Sequence, residues 1–346
     1  MKALTVTTKR ERRLTLSEVP EPQVGPGELL VDTIAIGVCG TDREIVEGRY
    51  GEAPPGEDRL ILGHESLGRV RVAPDGCGFH EGQLIVGIVR RPDPEPCRSC
   101  GAGEWDMCEN GRFTERGIKQ RHGYASERFT IEPEFAYAVP ASLGLCGVLV
   151  EPASIVAKAW EQIERLAARA VFRPKRVLVT GAGPVGLLAA LLAQQRGYEL
   201  HVLDRVESGP KVELVASLGA RYHHNSISAL QNAVDIVIEC TGAAEVVADS
   251  LSCTGPNGIV CLAGVSSGTR TVQLKASRLN NELVMENGIV FGSVNANRRH
   301  YAAAIAALER APRSWLEQLI SRRVPLDRFD EAFREQPGGI KTVLEF

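Results

Sequence analysis

Cys39, His64 and Glu65 are three residues whose side chains can each give a lone pair to a borderline cation. Cys39 sits in Gly37-Val38-Cys39-Gly40-Thr41-Asp42, and the other two follow Gly63. Taken singly, the cysteine reads as a buried thiol and the His-Glu pair as a hydrogen-bonded loop. Taken together, thiolate, imidazole and carboxylate are the donor types that suit Zn2+, and a catalytic site keeps three protein ligands and one open position. Such an ion can lower a bound water from a pKa of 15.7 to about 7, on the order of 12 kcal/mol, which is the help an alcohol needs to lose its proton. Glu151, in Leu149-Val150-Glu151-Pro152, is a further acid that could be a ligand, a holder of water or a charge at a helix N-terminus.

A second cluster follows in Pro94-Glu95-Pro96-Cys97-Arg98-Ser99-Cys100, with Cys108 beyond it. A C-x-x-C pair plus a third cysteine makes three thiolates in one small loop, a zinc pattern short of one ligand. Asp93 or Glu95 could supply it; without metal the segment is a loop of free thiols.

The third chemical pattern is Gly181-Ala182-Gly183-Pro184-Val185-Gly186, placed between the apolar run Arg176–Thr180 and the helix-forming run Leu187–Ala193. Strand, glycine turn and helix in that order suit a dinucleotide, whose pyrophosphate would lie at the helix N-terminus. The next apolar run ends in Asp204, about twenty residues on, where a carboxylate hydrogen-bonds the adenosine ribose. A 2′-phosphate at about 4 Å from it would be repelled by on the order of 4 kcal/mol per charge pair at an effective dielectric near 20, so NAD is expected over NADP. Arg205 leaves NADP open, since a guanidinium can lie on adenine or grip a phosphate.

The elements that must position these groups are legible as periods. Short strands fill the first part of the chain; the run 29–36 reads as a buried strand delivering the chain to Cys39. Short-strand patterning resumes at 123–129 and continues to Pro140, and a helix is expected from Pro152 to about Ala168. Beyond the glycine turn, a helix over 211–218 and buried strands over 235–240 and 258–264 alternate in the doubly wound manner. By the switch-point rule, the turns at Thr241-Gly242, Gly264-Val265-Ser266 and Gly292-Ser293-Val294-Asn295 would face a cofactor. Cys240, Cys253 and Cys261 read as core filler. A helix over 300–308 and a final strand over 340–346 close the chain.

The totals limit the partners. At 346 residues there is room for two domains with real cores. Forty basic against 43 acidic side chains, a net charge of −3, give no field that would recruit nucleic acid or an anionic membrane. The longest apolar run, 185–193, is too short to span a bilayer, and the first residues carry no secretory apolar segment. A cytoplasmic protein is expected, with an odd nine cysteines serving metal rather than disulfides.

With these motifs in this order, the chain resembles the zinc-dependent medium-chain dehydrogenases, and more narrowly their glucose dehydrogenase branch. Val89-Arg90-Arg91-Pro92, Glu115-Arg116-Gly117-Ile118, Val150-Glu151-Pro152 and Gly292 to Asn297 carry the narrower likeness. The resemblance implies an α/β fold, a GroES-like β-rich catalytic domain over 1–172 to which 298–346 returns, and a Rossmann parallel-sheet domain over 173–297. It implies an active site in the cleft between them and a homotetramer or dimer. It further implies that Cys39, His64 and Glu65 hold the catalytic zinc with Glu151 as fourth ligand or water partner, and that Thr41 relays the substrate proton. Glu115, Glu151 and Asn295 match sugar-binding positions, and Gly181, Gly183, Pro184, Val185, Gly186, Asp204, Arg205, Thr241, Gly264, Val265 and Asn295 match cofactor positions. Cys97, Cys100 and Cys108 match a structural zinc site whose usual fourth cysteine is here Pro94, so Asp93 is the substitute expected. Relatives with a histidine near the last strand differ from this chain, which reads Met285-Glu286-Asn287.

The expected reaction is hydride transfer from C1 of an aldose, D-glucose first, to NAD(P)+, giving a lactone. A zinc dehydrogenase of another polyol, amino sugar or cyclitol would share every residue above. A non-catalytic NAD- and zinc-binding protein is the reading of another class, and the retention of Cys39, Thr41, His64 and Glu65 together argues against it.

Overall fold

The computed structural model describes residues 1–8, 12–224, 227–230, 233–266, 270–334 and 336–346, with the backbone alone at 228 and 229. The chain forms two compact units, Met1–Ser154 with Asn295–Phe346, and Ile155–Val294.

The first unit is organised on the Leu29–Val38 strand. Alternate residues are buried from Leu29 to Thr33, and from Ala35 to Val38 every residue is buried. A half-solvated period of two thus becomes a strand covered on both faces as it approaches Cys39. Its sheet runs Ala136–Ala138, Leu84–Gly87, Glu65–Val72, Leu29–Val38, Thr342–Glu345, Arg322–Pro325, with Arg128–Ile131 also paired to the central strand. Glu65 lies opposite Gly37 in the antiparallel register, and Thr342 lies opposite Val38 from the other side. The C-terminal segment therefore completes the sheet beside the Cys39 end of the central strand. Its strand is Thr342–Glu345, within the run 340–346, and Lys341 just before it turns its ammonium inward to the Val38 carbonyl.

The second unit holds a six-stranded parallel sheet in the order Arg221–His223, Glu199–Leu203, Arg176–Thr180, Val234–Glu239, Thr254–Leu262, Ile289–Gly292. This is the doubly wound dinucleotide order, with the switch point between the third and fourth of these strands. Val177, Leu178, Val179, Ile236, Val237 and Ile238 are fully buried, as helices on both faces require. Cys253 and Cys261 are buried among them; Cys240 is only partly so, and its thiol bonds back to the Ile238 carbonyl.

The helix expected from Pro152 spans Val150–Ala167, so the proline sits inside its first turn, where a missing N–H costs nothing. The compact units divide at 154/155 and 294/295. Trp160 ties its part of the helix to the second unit: its indole Nε1 donates to the Ala189 carbonyl at 3.4 Å and its ring stacks on Tyr198. Asn295 and Asn297 bond side chains of the first unit, Glu115 and Asp106. The helix Arg298–Arg310 then begins with Asn297 as its cap.

Candidate functional site

Cys39 ends the central strand and caps the helix Gly40–Val46. Its backbone N–H donates to Asp42 Oδ2 at 2.9 Å, which pins the turn and leaves Oδ1 facing His64 Nδ1 at 3.3 Å. Glu65 comes from the neighbouring strand opposite Gly37, and a Cβ at 37 would collide with the Glu65 carboxylate, so only glycine admits it there. One ligand atom from each of Cys39, His64 and Glu65 lies within 4.8 Å of the other two. Thr41 sits in the first helical turn, partly exposed.

The cluster is largely buried and charged. His64, Glu65, Asp42 and Lys341 are each 4 % exposed or less. The Lys341 ammonium forms an ion pair with Glu65 Oε2 and donates to the Val38 carbonyl at 3.2 Å. Burial alone would lower the Lys341 pKa, but Glu65, Cys39 and Glu151 hold it above the ordinary value. Burial would likewise lower His64, and the Asp42 carboxylate and Cys39 raise it well above normal instead. Burial pushes Asp42 upward, and His64, the Cys39 N–H and Lys341 more than reverse that. Glu151 is outside the 4.8 Å group but buried close enough to feel the same charges; burial drives its carboxyl up to about 7, with Glu65 and Asp42 adding to the rise and His64 and Lys341 opposing it.

A zinc ion fits this donor set. Thiol, imidazole and carboxylate converge from a strand end and its neighbour. His64 Nδ1 faces Asp42 Oδ1 and Glu65 Oε2 pairs with Lys341, so each ligand is held from its far side by a buried charged partner. An Asp–His contact on the ring nitrogen away from the metal is the usual outer support for such a ligand.

Cys97, Cys100 and Cys108 also converge within 4.8 Å. The Cys97 sulfur accepts from the Cys100 and Glu109 N–H groups, each at 3.4 Å, which brings its pKa down to about 7; burial carries Cys100 up to about 11. The expected fourth ligand, Asp93, is not in this group. Its Oδ1 closes a turn on the Glu95 N–H at 2.9 Å, and its Oδ2 is taken by Asn110 at 2.6 Å and Arg112 at 3.2 Å. Glu95 is exposed and pairs with Arg112. Asp93 thus braces the loop from behind.

Glu115 and Asn295 are brought together: Asn295 Nδ2 donates to Glu115 Oε1 at 2.8 Å, and both are buried. Asn295 holds a left-handed backbone, φ 61°, where asparagine is among the few tolerated residues. Tyr50 is near: burial and the Glu115 carboxylate push its hydroxyl pKa up.

In the second unit Gly181 has φ 91°, and a Cβ on Gly186 would strike the Gly181 carbonyl. Gly183 caps the helix Pro184–Gln195, with Pro184 and Val185 in its first turn. Asp204 Oδ2 accepts from the Ala182 N–H at 2.6 Å and lies 3.7 Å from Lys211, so its carboxylate braces the glycine turn and carries a cation beside it, while Arg205 is exposed. Sequence reasoning missed Glu239, fully buried at the end of its strand. It accepts from Thr180 Oγ1 at 3.1 Å, the Thr241 N–H at 2.7 Å and the Gly242 N–H at 3.1 Å, fixing Thr241; the N–H of Gly264 bonds its carbonyl. Val265 follows, exposed. The signal was an acid closing an apolar run; Lys341, also missed, had none.

Two family models match: the alcohol dehydrogenase GroES-like domain over residues 25–141 and the glucose dehydrogenase C-terminus over 144–346. The chain is 40 % identical to the glucose 1-dehydrogenase of Methanocella arvoryzae, with 100 % of this chain and 99 % of the relative covered. The chain belongs to the glucose dehydrogenase branch of the zinc-dependent medium-chain dehydrogenases. The glucose 1-dehydrogenase of Thermoproteus tenax is also 40 % identical over the same shares of the two chains. Among solved structures, the Haloferax mediterranei glucose dehydrogenase in complex with NADP, Zn and gluconolactone matches with a TM-score of 0.93 at 33 % identity, covering 100 % of this chain and 99 % of that one. The glucose dehydrogenase fold expected here, a GroES-like domain and a Rossmann-type parallel sheet, is the one present.

Proposed function

We propose that the chain oxidises an aldose, D-glucose first, at C1 to its lactone with NAD(P)+ as hydride acceptor, at a zinc site formed by Cys39, His64 and Glu65. The observation that carries this reading is the buried convergence of those three donors in a chain whose whole length matches glucose dehydrogenases. When bound, zinc supplies Lewis-acid polarisation at a hydroxyl oxygen, so that its proton leaves at neutral pH.

Asp42 orients the His64 ring, and Lys341 holds Glu65 in place against the low dielectric around it. Thr41, beside Asp42 in the first turn of the Gly40–Val46 helix and partly exposed, takes the hydroxyl proton and hands it outward. Glu151, whose carboxyl burial pushes up to about 7, holds a water or a sugar hydroxyl beside the cluster. Glu115 and Asn295 bind further sugar hydroxyls. The Gly181–Gly186 turn and the Glu239-braced loops receive the dinucleotide, and nicotinamide C4 accepts the hydride from C1. NAD is favoured by the Asp204 carboxylate, and Lys211 and Arg205 keep NADP within reach.

The test is a rate measurement on zinc-loaded protein with aldoses, polyols and cyclitols, NAD and NADP side by side, following reduced nicotinamide. Turnover of glucose or a close epimer is expected. Turnover of a polyol or cyclitol alone would move the substrate, and no turnover with zinc bound would sink the reading.

A homo-oligomer and a cytoplasmic setting belong to the same proposal. The helix Ala276–Met285 buries none of its residues and leaves Val284 and Met285 exposed, next to the strand Ile289–Gly292, which pairs on one side only among the described residues. An apolar surface beside an open sheet edge suits a second copy. Light scattering on the eluting protein should give a dimer or tetramer; a monomer at micromolar concentration would overturn it. The free thiols of the 97–108 loop suit a reducing compartment.

A further inference from the structure

Glu115 is held more tightly than a sugar-binding carboxylate needs to be. Arg90 reaches its Oε1 with Nε at 3.1 Å and Nη2 at 3.0 Å, and Asn295 donates to the same oxygen at 2.8 Å. No donor reaches Oε2 among the described residues. Both Arg90 and Glu115 are buried, and the guanidinium lies 3.6 Å from the centre of the Phe113 ring. The remaining arm of Arg90, Nη1, donates to the Asp106 carbonyl at 3.2 Å. Asp106 lies in the turn Trp105–Met107, whose next residue is Cys108, and its Oδ1 accepts from Asn297 at 2.7 Å.

We propose that Arg90 is a positioning residue for the sugar site, and that through Asp106 it makes the three-thiol loop part of that site's support. The inference rests on Glu115 binding sugar. Two hydrogen bonds and an ion-pair contact fix one oxygen of Glu115 and leave the other to accept from a substrate hydroxyl, so the carboxylate meets the sugar without first losing rotamer freedom. The planar fork of arginine is what allows one side chain to hold Glu115 and the Asp106 carbonyl together; lysine, a point charge, can serve one of them. Metal bound at Cys97, Cys100 and Cys108 fixes Cys108 and hence the Asp106 turn, which in turn fixes Arg90.

The experiment compares wild type, Arg90→Met, Arg90→Lys and Cys108→Ser by calorimetric binding of gluconolactone and of NADP, with glucose kinetics alongside. Arg90→Met should weaken gluconolactone and raise the glucose KM by about 10–100-fold, the effect of losing hydrogen bonds to a charged group, while kcat stays within about threefold and NADP affinity is unchanged. Arg90→Lys should recover part of the loss. Cys108→Ser should weaken gluconolactone in the same direction without touching NADP. A wild type that binds gluconolactone and an Arg90→Met that binds it within twofold overturn the inference, as do parallel losses of gluconolactone, NADP and melting temperature, the pattern of general destabilisation. A Cys108→Ser with undiminished gluconolactone affinity removes the thiol loop from the argument. A wild type that binds no gluconolactone overturns the sugar reading, and this inference with it.

Discussion

Cys39→Ser is expected to lower kcat/KM by at least about 10³-fold, roughly 4 kcal/mol of transition-state stabilisation, with the fold and the cofactor affinity kept. A serine hydroxyl is not ionised near neutrality, so the site would lose its one soft anionic donor and keep only imidazole and carboxylate. The substitution is sterically mild. Cys39 is partly exposed at a helix N-cap, where serine is a favoured residue, and the backbone bond from its N–H to Asp42 does not involve the side chain. The dinucleotide turn belongs to the other compact unit, so NAD(P) binding supplies an internal control for folding. Metal content measured beside initial rates decides the matter. Stoichiometric zinc with rates within tenfold of wild type would remove Cys39 from the ligand set.

The sequence reading recovered these groups unevenly, for physical reasons. Cys39, His64 and Glu65 were legible because a glycine-flanked cysteine and a Gly-His-Glu run are odd choices for packing, so their types carried information. The parallel sheet was legible because strands buried on both faces are written as unbroken apolar runs such as 176–180 and 234–239. The fourth ligand of the thiol loop is less legible. Spacing put Asp93 near Cys97, but two side-chain donors, Asn110 and Arg112, lie seventeen and nineteen residues away and claim its carboxylate. The context of Glu151 admits both a ligand and a water partner, and its buried carboxyl lies outside the 4.8 Å group while feeling the charges of His64 and Glu65. Lys341 could not be found at all. Its contact with Glu65 depends on the last strand of the chain pairing with Leu29–Val38, a closure between distant segments that no local pattern announces.

That lysine carries the other large effect. Lys341→Met should destabilise the first unit by on the order of 3–5 kcal/mol, because it leaves the Glu65 carboxylate charged, buried and without its cation. The methionine fills much of the same space, so lost packing is the smaller part of the loss. Zinc should recover some of the stability, since the ion gives Glu65 a positive neighbour again, and the gain should rise with free zinc as linkage requires. The double variant Lys341→Met/Glu65→Gln separates this electrostatic account from a purely steric one: with the carboxylate neutralised, the cost of losing the ammonium should shrink to about 1 kcal/mol, and the two substitutions should be strongly non-additive. Denaturation of metal-free protein, followed by Trp105 and Trp315 fluorescence of the first unit in a Trp160→Phe background, reads the difference. Additive losses would show that Lys341 supports the sheet through its bond to the Val38 carbonyl alone, and that Glu65 is held at the site by other means.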